Sequence, residues 1–308
     1  MSLVYLTDDT LGVLELGPIV TGTVETNPLN PDPAKRCPVD LRQCNAAGYV
    51  VTGWQIGFPA SRPVVRNRAL GDGTIDSSRF VGARAVSMAI TLDANKQDPQ
   101  ISIDNLTAYM SPRVRPRLVW TIPGSTQVRS LLVRGESAPV SILGRQANTI
   151  TASFIGVRGV LESPDESTLL IVPGTDVEVG RTYDLTFDRV YPASAPIGSR
   201  IVVNDGNETT DWSATIFGPA VDPIVTVNGV DMSFDRDGGQ TLGLGETLTI
   251  DTRTRTVILN NDPTASRYDK INFTEWSWEE VRFVPGQNIV RYQAAQGTCQ
   301  FTWRSAWL

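Results

Sequence analysis

The sequence predicts a mainly β protein in two parts, an N-terminal β domain with one short helix and a C-terminal antiparallel β-sandwich. Three observations predict it. Short apolar runs alternating with polar residues recur along the chain, bounded by Gly, Pro, Asn and Asp. Only one segment carries helical spacing. At 308 residues the chain is long for a single core, so two domains are expected.

In the first part, Leu11 to Leu16 and Ile19 to Val24 read as short strands punctuated by glycine. The stretch 26–38, TNPLNPDPAKRCP, carries four prolines and reads as a long loop rather than a central strand or a helix. Tyr49 to Ile56 is a strand, Val64 to Leu70 follows it, and Gly71-Asp72-Gly73-Thr74 turns the chain. Phe80 to Leu92 is read as one strand with Val86, Met88, Ile90 and Leu92 on a single face. The helix is Asp98 to Met110. Asp98 or Ser102 caps it, Ile103, Leu106 and Met110 form its stripe, and Ser111-Pro112 stops it. Strands follow at Leu118 to Trp120, Val128 to Arg134, Ala138 to Leu143 and Thr149 to Val157. Thr168 to Val172 and Tyr183 to Val190 are read as the last two of this half.

Residues 191–199, YPASAPIGS, have the composition of a linker, which gives domains at 1–190 and 191–308. Strands are then expected at Ile201 to Asn204, Ala214 to Phe217, Ile224 to Val227, Ile271 to Trp278, Asn288 to Tyr292 and Thr298 to Trp307. The clearest segment is Glu246 to Asn260, ETLTIDTRTRTVILN. Leu248 and Ile250 alternate with threonines, a polar Thr/Arg stretch follows, and Thr256 to Leu259 resumes the apolar run. That is a hairpin, with Asn260-Asn261-Asp262-Pro263 as its exit turn.

Composition excludes several chemistries. The chain has no histidine, which removes Ser-His and Cys-His nucleophile pairs and the commonest transition-metal ligand. Three scattered cysteines without histidine do not make a zinc site, and no cofactor is expected. Cys37 and Cys44 are close enough to close a small loop, but free thiols are expected, because no charged n-region precedes the first apolar run and cytoplasmic synthesis follows from that. No apolar run approaches the roughly 20 residues of a membrane span.

Arginine supplies 24 of the 27 positive charges, and the net charge is −6, so sequence-specific nucleic-acid binding is not expected. Charge is also unevenly spread, with a balance of +6 over 62–134 and −5 from 191 onward. Arg62, Arg66, Arg68, Arg79, Arg84, Arg113, Arg115 and Arg117 are therefore candidates for a protein interface, where the forked guanidinium pairs well. A solvated strand face is the alternative.

Glu275, Glu279 and Glu280 beside Trp276 and Trp278 superficially suggest a glycosidase, which needs two opposed carboxylates. Packing of the two Trp in a core explains the spacing better. A milder form makes Trp276 and Trp278 a platform for carbohydrate, since five of the seven Trp lie in the second part. The runs Asp235-Arg236-Asp237-Gly238-Gly239 and Asp205-Gly206-Asn207-Glu208 are read as turns, because neither continues into a calcium loop.

Several segments together resemble the distal tail protein (Dit) family of long-tailed phages. They are LTIDTRTRTVILN, with Asp251, Thr252, Arg255 and Val257, then Pro285, Gly286 and Asn288 of the PGQN turn, then Trp303 and Arg304 of the closing WRSAW. In the first half, DGTIDSSRFVGARAVSMAITL and PRVRPRLVW resemble the ring-forming domain of siphovirus-type minor tail proteins from actinobacterial phages. The resemblance implies a structural virion protein at the distal end of the tail. It implies an N-terminal belt domain that closes a homo-oligomeric ring, commonly a hexamer, and a galectin-like C-terminal sandwich. The implied partners are the tail tube protein, the baseplate hub or tail-tip protein and the tape measure protein. Host-surface polysaccharide is the partner in the alternative reading, and no enzymatic activity is implied.

Overall fold

The computed structural model describes residues 3–8, 11–18, 49–67, 74–93, 98–121, 125–138, 140–142, 147–173, 198–272 and 277–308. Two compact units divide the chain, Met1–Pro164 with Leu308, and Asp165–Trp307.

The first unit contains β1 (Leu3–Asp8), β2 (Gly12–Pro18), β3 (Tyr49–Ile56), β4 (Ser61–Asn67), β5 (Thr74–Val81) and β6 (Arg84–Asp93). Helix α1 (Pro99–Tyr109) is followed by β7 (Arg117–Thr121), β8 (Val128–Ser137), β9 (Val140–Ile142), β10 (Ala147–Gly156) and β11 (Leu161–Glu162). Its main sheet runs β2-β1-β7-β8-β10-β6-β3, with antiparallel pairing throughout, and β9 adds to β10. A separate ribbon pairs β4 with β5.

Period two fixes which face is buried. Val86, Met88, Ile90 and Leu92 of β6 all point into the core, and the first three pair in register with Phe154, Ala152 and Ile150 of β10. Helix α1 sits on this core through Leu106, Tyr109 and Met110. The Asp98 carboxylate accepts from Gln100 N at 2.9 Å and Pro99 takes the first turn, where its missing N–H costs nothing. Asp98→Ala is expected to lower stability by about 1 kcal/mol, measured by urea unfolding, with faster hydrogen exchange in the first helical turn.

The second unit contains β12 (Ser167–Ile171), β13 (Ser199–Asn204), β14 (Trp212–Phe217), β15 (Ala220–Val221), β16 (Ile224–Val227) and β17 (Val230–Ser233). It continues through β18 (Thr241–Leu242), β19 (Thr247–Asp251), β20 (Thr256–Leu259), β21 (Gly286–Gln293), β22 (Thr298–Trp303) and β23 (Ala306–Trp307). A five-stranded antiparallel sheet, β12-β22-β14-β19-β20, and a four-stranded one, β13-β21-β16-β17, share one core. Ala214, Ile216, Leu248, Ile250 and Phe301 reach it from the first sheet, and Val202, Val225, Val227, Val290 and Tyr292 from the second. This is a β-sandwich. The Cys299 thiol is buried in the same core, and desolvation pushes its pKa well above the ordinary range.

The Glu246 to Asn260 segment forms the expected hairpin, Leu248 pairing with Leu259 and Asp251 with Thr256. Asn260 and Asn261 both take positive φ in the exit turn, a conformation asparagine tolerates. A second hairpin, β16–β17, turns on Asn228-Gly229 with both residues at positive φ. That dipeptide is the strongest short hairpin signal in a sequence.

Three sequence expectations are corrected. The run Phe80 to Leu92 is two strands, broken at residues 82–83, where the backbone hydrogen-bonds to Ala60 instead of continuing a ladder. The strand around Thr168 pairs with β22 in the second unit, although the pattern reading assigned it to the first half. Alternation shows that a segment is a strand but not which distant strand it joins. Finally, residues 277–280 are a turn, so Trp278 does not sit on a strand. The 26–38 loop, Cys37, Cys44, the strands read at 19–24 and 183–190, and linker residues 191–197 lie outside the described residues.

Candidate functional site

The residues that carry the family resemblance have structural work in the second unit. Asp251 Oδ1 accepts from Arg253 N at 2.8 Å and Thr254 N at 3.2 Å, closing the turn between β19 and β20. The Thr252 hydroxyl donates to Trp212 O at 2.7 Å and accepts from Trp212 N at 2.9 Å, which ties this turn to β14. Arg255 takes φ 57° and Val257 fills the core. In PGQN, Gly286 has φ 89° and the fully buried Asn288 carboxamide holds the turn. Its Oδ1 accepts from Val284 N and Asn228 Nδ2, and its Nδ2 donates to Val284 O and Gly286 O. The Trp303 indole donates to Val203 O at 3.1 Å, and Arg304 O accepts from the Thr210 hydroxyl at 2.7 Å.

Of the two runs resembling calcium loops, one holds a 3₁₀ turn and the other bends at residues 206–207 into an isolated bridge between Glu208 and Ala306. Arg236–Gly238 is a single 3₁₀ turn. Gly206 lies so close to the last strand that a Cβ there would sit 1.6 Å from Ala306 O, so glycine is required by proximity.

The arginine candidates fall into distinct environments. Arg62 and Arg66 lie on β4 and Arg79 on β5, with Arg79 in register with Pro63, and Arg68 lies outside the described residues. Arg84 is 5% exposed, and neither its Nε nor its Nη2 has a hydrogen-bond partner among the described residues. Desolvation pushes its pKa down. Arg113 and Arg115 are exposed. Arg117 is engaged within its own unit. Its Nη1 donates to Glu162 Oε2 at 2.7 Å and to Ser130 Oγ at 3.0 Å.

Glu162 is nearly buried, with Arg158 a second cation 3.6 Å away. Removing Arg117 strips a buried carboxylate of its nearest counter-charge. Arg117→Leu is expected to cost about 3 kcal/mol, and the double variant Arg117→Leu/Glu162→Leu to regain most of it. Thermal or urea unfolding of the two variants checks this.

Trp276 lies outside the described residues. Trp278 is 6% exposed and packs in the sandwich core, its indole donating to Tyr268 Oη at 3.2 Å and stacking on that ring at 6.1 Å between centroids. Glu279 pairs with Arg255 at the surface.

Sequence reasoning missed a cleft at one end of the five-stranded sheet. It is lined by Glu166, Asp211, Trp212, Ser213, Asp251, Arg253, Thr302, Trp303 and Arg304, and its volume is about 140 Å³. Antiparallel register brings the ends of four strands together there. Ser213 is opposite Asp251 on one side and Thr302 on the other. The Ser213 and Thr302 hydroxyls are 2.8 Å apart. Asp211, 7% exposed, has Arg282 Nε at 2.8 Å, paired by charge but off the hydrogen-bond axis, and Arg253 Nε at 3.9 Å. Arg304 Nη2 is 3.4 Å from Glu166 Oε1. The one sequence signal was alternation of small polar residues on β14 and β22, which marks a solvated face without marking a cleft.

No protein-family model matches the chain, and no curated protein matches it. Among solved structures, the crystal structure of the Dit protein of SPP1, described as a paradigm of the hub adsorption apparatus in phages infecting Gram-positive bacteria, is similar. Identity is 13%, the TM-score is 0.52, and the match covers 85% of this chain and 94% of that one. A chain of the phage P2 baseplate in its activated conformation aligns over 99% of this chain and 98% of its own, at 7% identity and a TM-score of 0.47. What the first likeness shows is the fold: this chain is built like SPP1 Dit along most of its length.

Proposed function

We propose that this chain is a structural protein of a phage virion, a distal tail adaptor that closes a ring at the tail tip. In this reading the N-terminal part is the belt domain that closes the ring, which is hexameric, and the C-terminal sandwich is galectin-like. The ring joins the tail tube protein to the baseplate hub and host-recognition proteins, with the tape measure protein ending nearby. The fold shared with SPP1 Dit is the single observation that carries the reading. The sequence motifs support it independently, since Asp251, Thr252, Asn288 and Trp303 hold the turns and strand ends of the sandwich. Origin in a siphovirus of actinobacteria rests on the sequence resemblance alone.

Ring closure needs surface for a second copy. The exposed Arg113 and Arg115 present guanidiniums that suit a carboxylate on a neighbouring protomer, while Arg117 pairs with Glu162 in its own unit. Light scattering and negative-stain imaging of the purified protein, alone and with tube and hub proteins, test the assembly. Closed rings are expected in at least one mixture. Monomers in every mixture would remove the ring from this account.

A further inference from the structure

We infer that a strip on the outer face of the first unit's main sheet, with Arg115 and Arg134 at one end and Ile155, Ala85 and Val157 beyond them, is a contact surface for a second copy of this chain. The second copy answers the two arginines with carboxylates. The inference rests on the ring reading and assigns the surface through which copies meet.

Strand register makes the arginine pair. Arg117 pairs with Leu132 across β7 and β8, and Val133 N donates to Pro116 O at 2.9 Å, which carries the ladder one residue beyond β7. The next step sets Arg115 opposite Arg134, and both are exposed. Like charges directly opposite on one face repel and weaken the sheet that holds them. Arg113, two residues away, is exposed as well, and among the described residues no carboxylate pairs with any of the three. Glu136 is the nearest carboxylate along β8. It is the extra residue of a bulge, since Gly135 and Ser137 oppose the consecutive Phe154 and Ser153 of β10, and it forms no ion pair with them. The unit thus carries a charge conflict that it does not relieve by itself.

The neighbours of the pair select the class of partner. Arg134 is in register with Ile155 of β10, and Ile155 with Ala85 of β6, so the row continues across the sheet as apolar. Alternation puts these side chains on the face opposite the core residues Val133, Phe154 and Val86. Ala85 is exposed, Ile155 is half-buried, and Val157 is 43% exposed. Arginines beside a small apolar strip have the makeup of a protein–protein contact. A nucleic acid would call for polar or stacking neighbours around the cations, and this strip offers neither.

Charge points to a second copy. Residues 1–164 hold sixteen Lys and Arg against thirteen Asp and Glu, a balance of +3, whereas 165–307 hold eleven against twenty, a balance of −9. Another copy therefore offers abundant acidic surface to a cationic strip. A contact between unlike patches of two copies is heterologous, the kind that closes into a ring.

The test uses the full-length protein, alone and with tube and hub proteins, followed by sedimentation velocity. Arg115→Gln/Arg134→Gln is expected to weaken self-association about tenfold. Raising sodium chloride from about 0.05 to about 0.5 M is expected to weaken association of the wild type far more than that of the variant. At concentrations where all the proteins are monomeric, the same variant is expected to keep the wild-type unfolding midpoint or exceed it by about 1 °C, because the repulsion is gone. Arg134→Glu sharpens the contrast. It pairs with Arg115 inside the unit and repels the partner's carboxylates, so a raised midpoint and abolished association are expected together. The inference is overturned if rings survive in both variants, or if the variants unfold earlier than the wild type, which would make the arginines structural. It is also overturned if the cluster binds duplex DNA while assembly is indifferent to it. Wild-type monomers in every mixture remove the ring reading and this inference together, whereas intact variant rings remove the inference alone.

Discussion

Trp212→Ala is expected to destabilise the second unit by about 4 kcal/mol. Trp212 is 2% exposed and stands between two other rings, with centroids 5.8 Å from Phe283 and 5.1 Å from Phe301. Its truncation leaves a void in a close-packed core and removes the indole N–H from Val281 O, a buried bond of 2.6 Å. Trp212→Phe separates the two losses. It keeps an aromatic ring between its neighbours and gives up the hydrogen bond, so a cost of about 1 to 2 kcal/mol is expected. Urea denaturation followed by near-ultraviolet circular dichroism measures both. A loss under 1 kcal/mol for Trp212→Ala would contradict the packing described.

Asn288→Ala is the second large effect, at about 3 kcal/mol. The carboxamide is fully buried and makes hydrogen bonds to Val284 N, Val284 O, Gly286 O and Asn228 Nδ2. Removing it strands the Val284 backbone groups just before β21 and Asn228 Nδ2 at the β16–β17 turn. Asn288→Asp keeps the size and the acceptor but loses the donor bonds and buries a charge, so it is expected to be no milder. The same unfolding measurement decides it. If both variants unfold with the wild-type midpoint, the side chain does not hold the PGQN turn.

These two residues also show what was legible in the sequence. The PGQN turn was visible as a motif, and so was the period-two burial of Val86, Met88, Ile90, Leu92, Leu248 and Ile250. Those signals are local, because a pleat and a turn are decided within a few residues. Helix α1 was legible for the same reason, and of its two candidate caps, Asp98 and Ser102, the structure uses Asp98.

What failed were statements that depend on partners far along the chain. The strand Ser167–Ile171 finds β22 some 130 residues later, and nothing in its own pattern says so. Trp276 and Trp278 are spaced like a strand, but Trp278 enters the core from a turn. The Arg117–Glu162 pair joins residues 45 apart, and nothing in either stretch of sequence points to the other. The cleft is the extreme case. Its residues come from positions 166, 211–213, 251, 253 and 302–304, and only the register of four strands brings them together.

The central claim is that this chain stands at the distal end of a phage tail. Immunogold labelling of intact virions with antibody against the purified protein tests it most directly. The account predicts gold at the tail tip, with none on the head or along the tube. Label on the capsid, or virions that carry none while the infected lysate does, would contradict it.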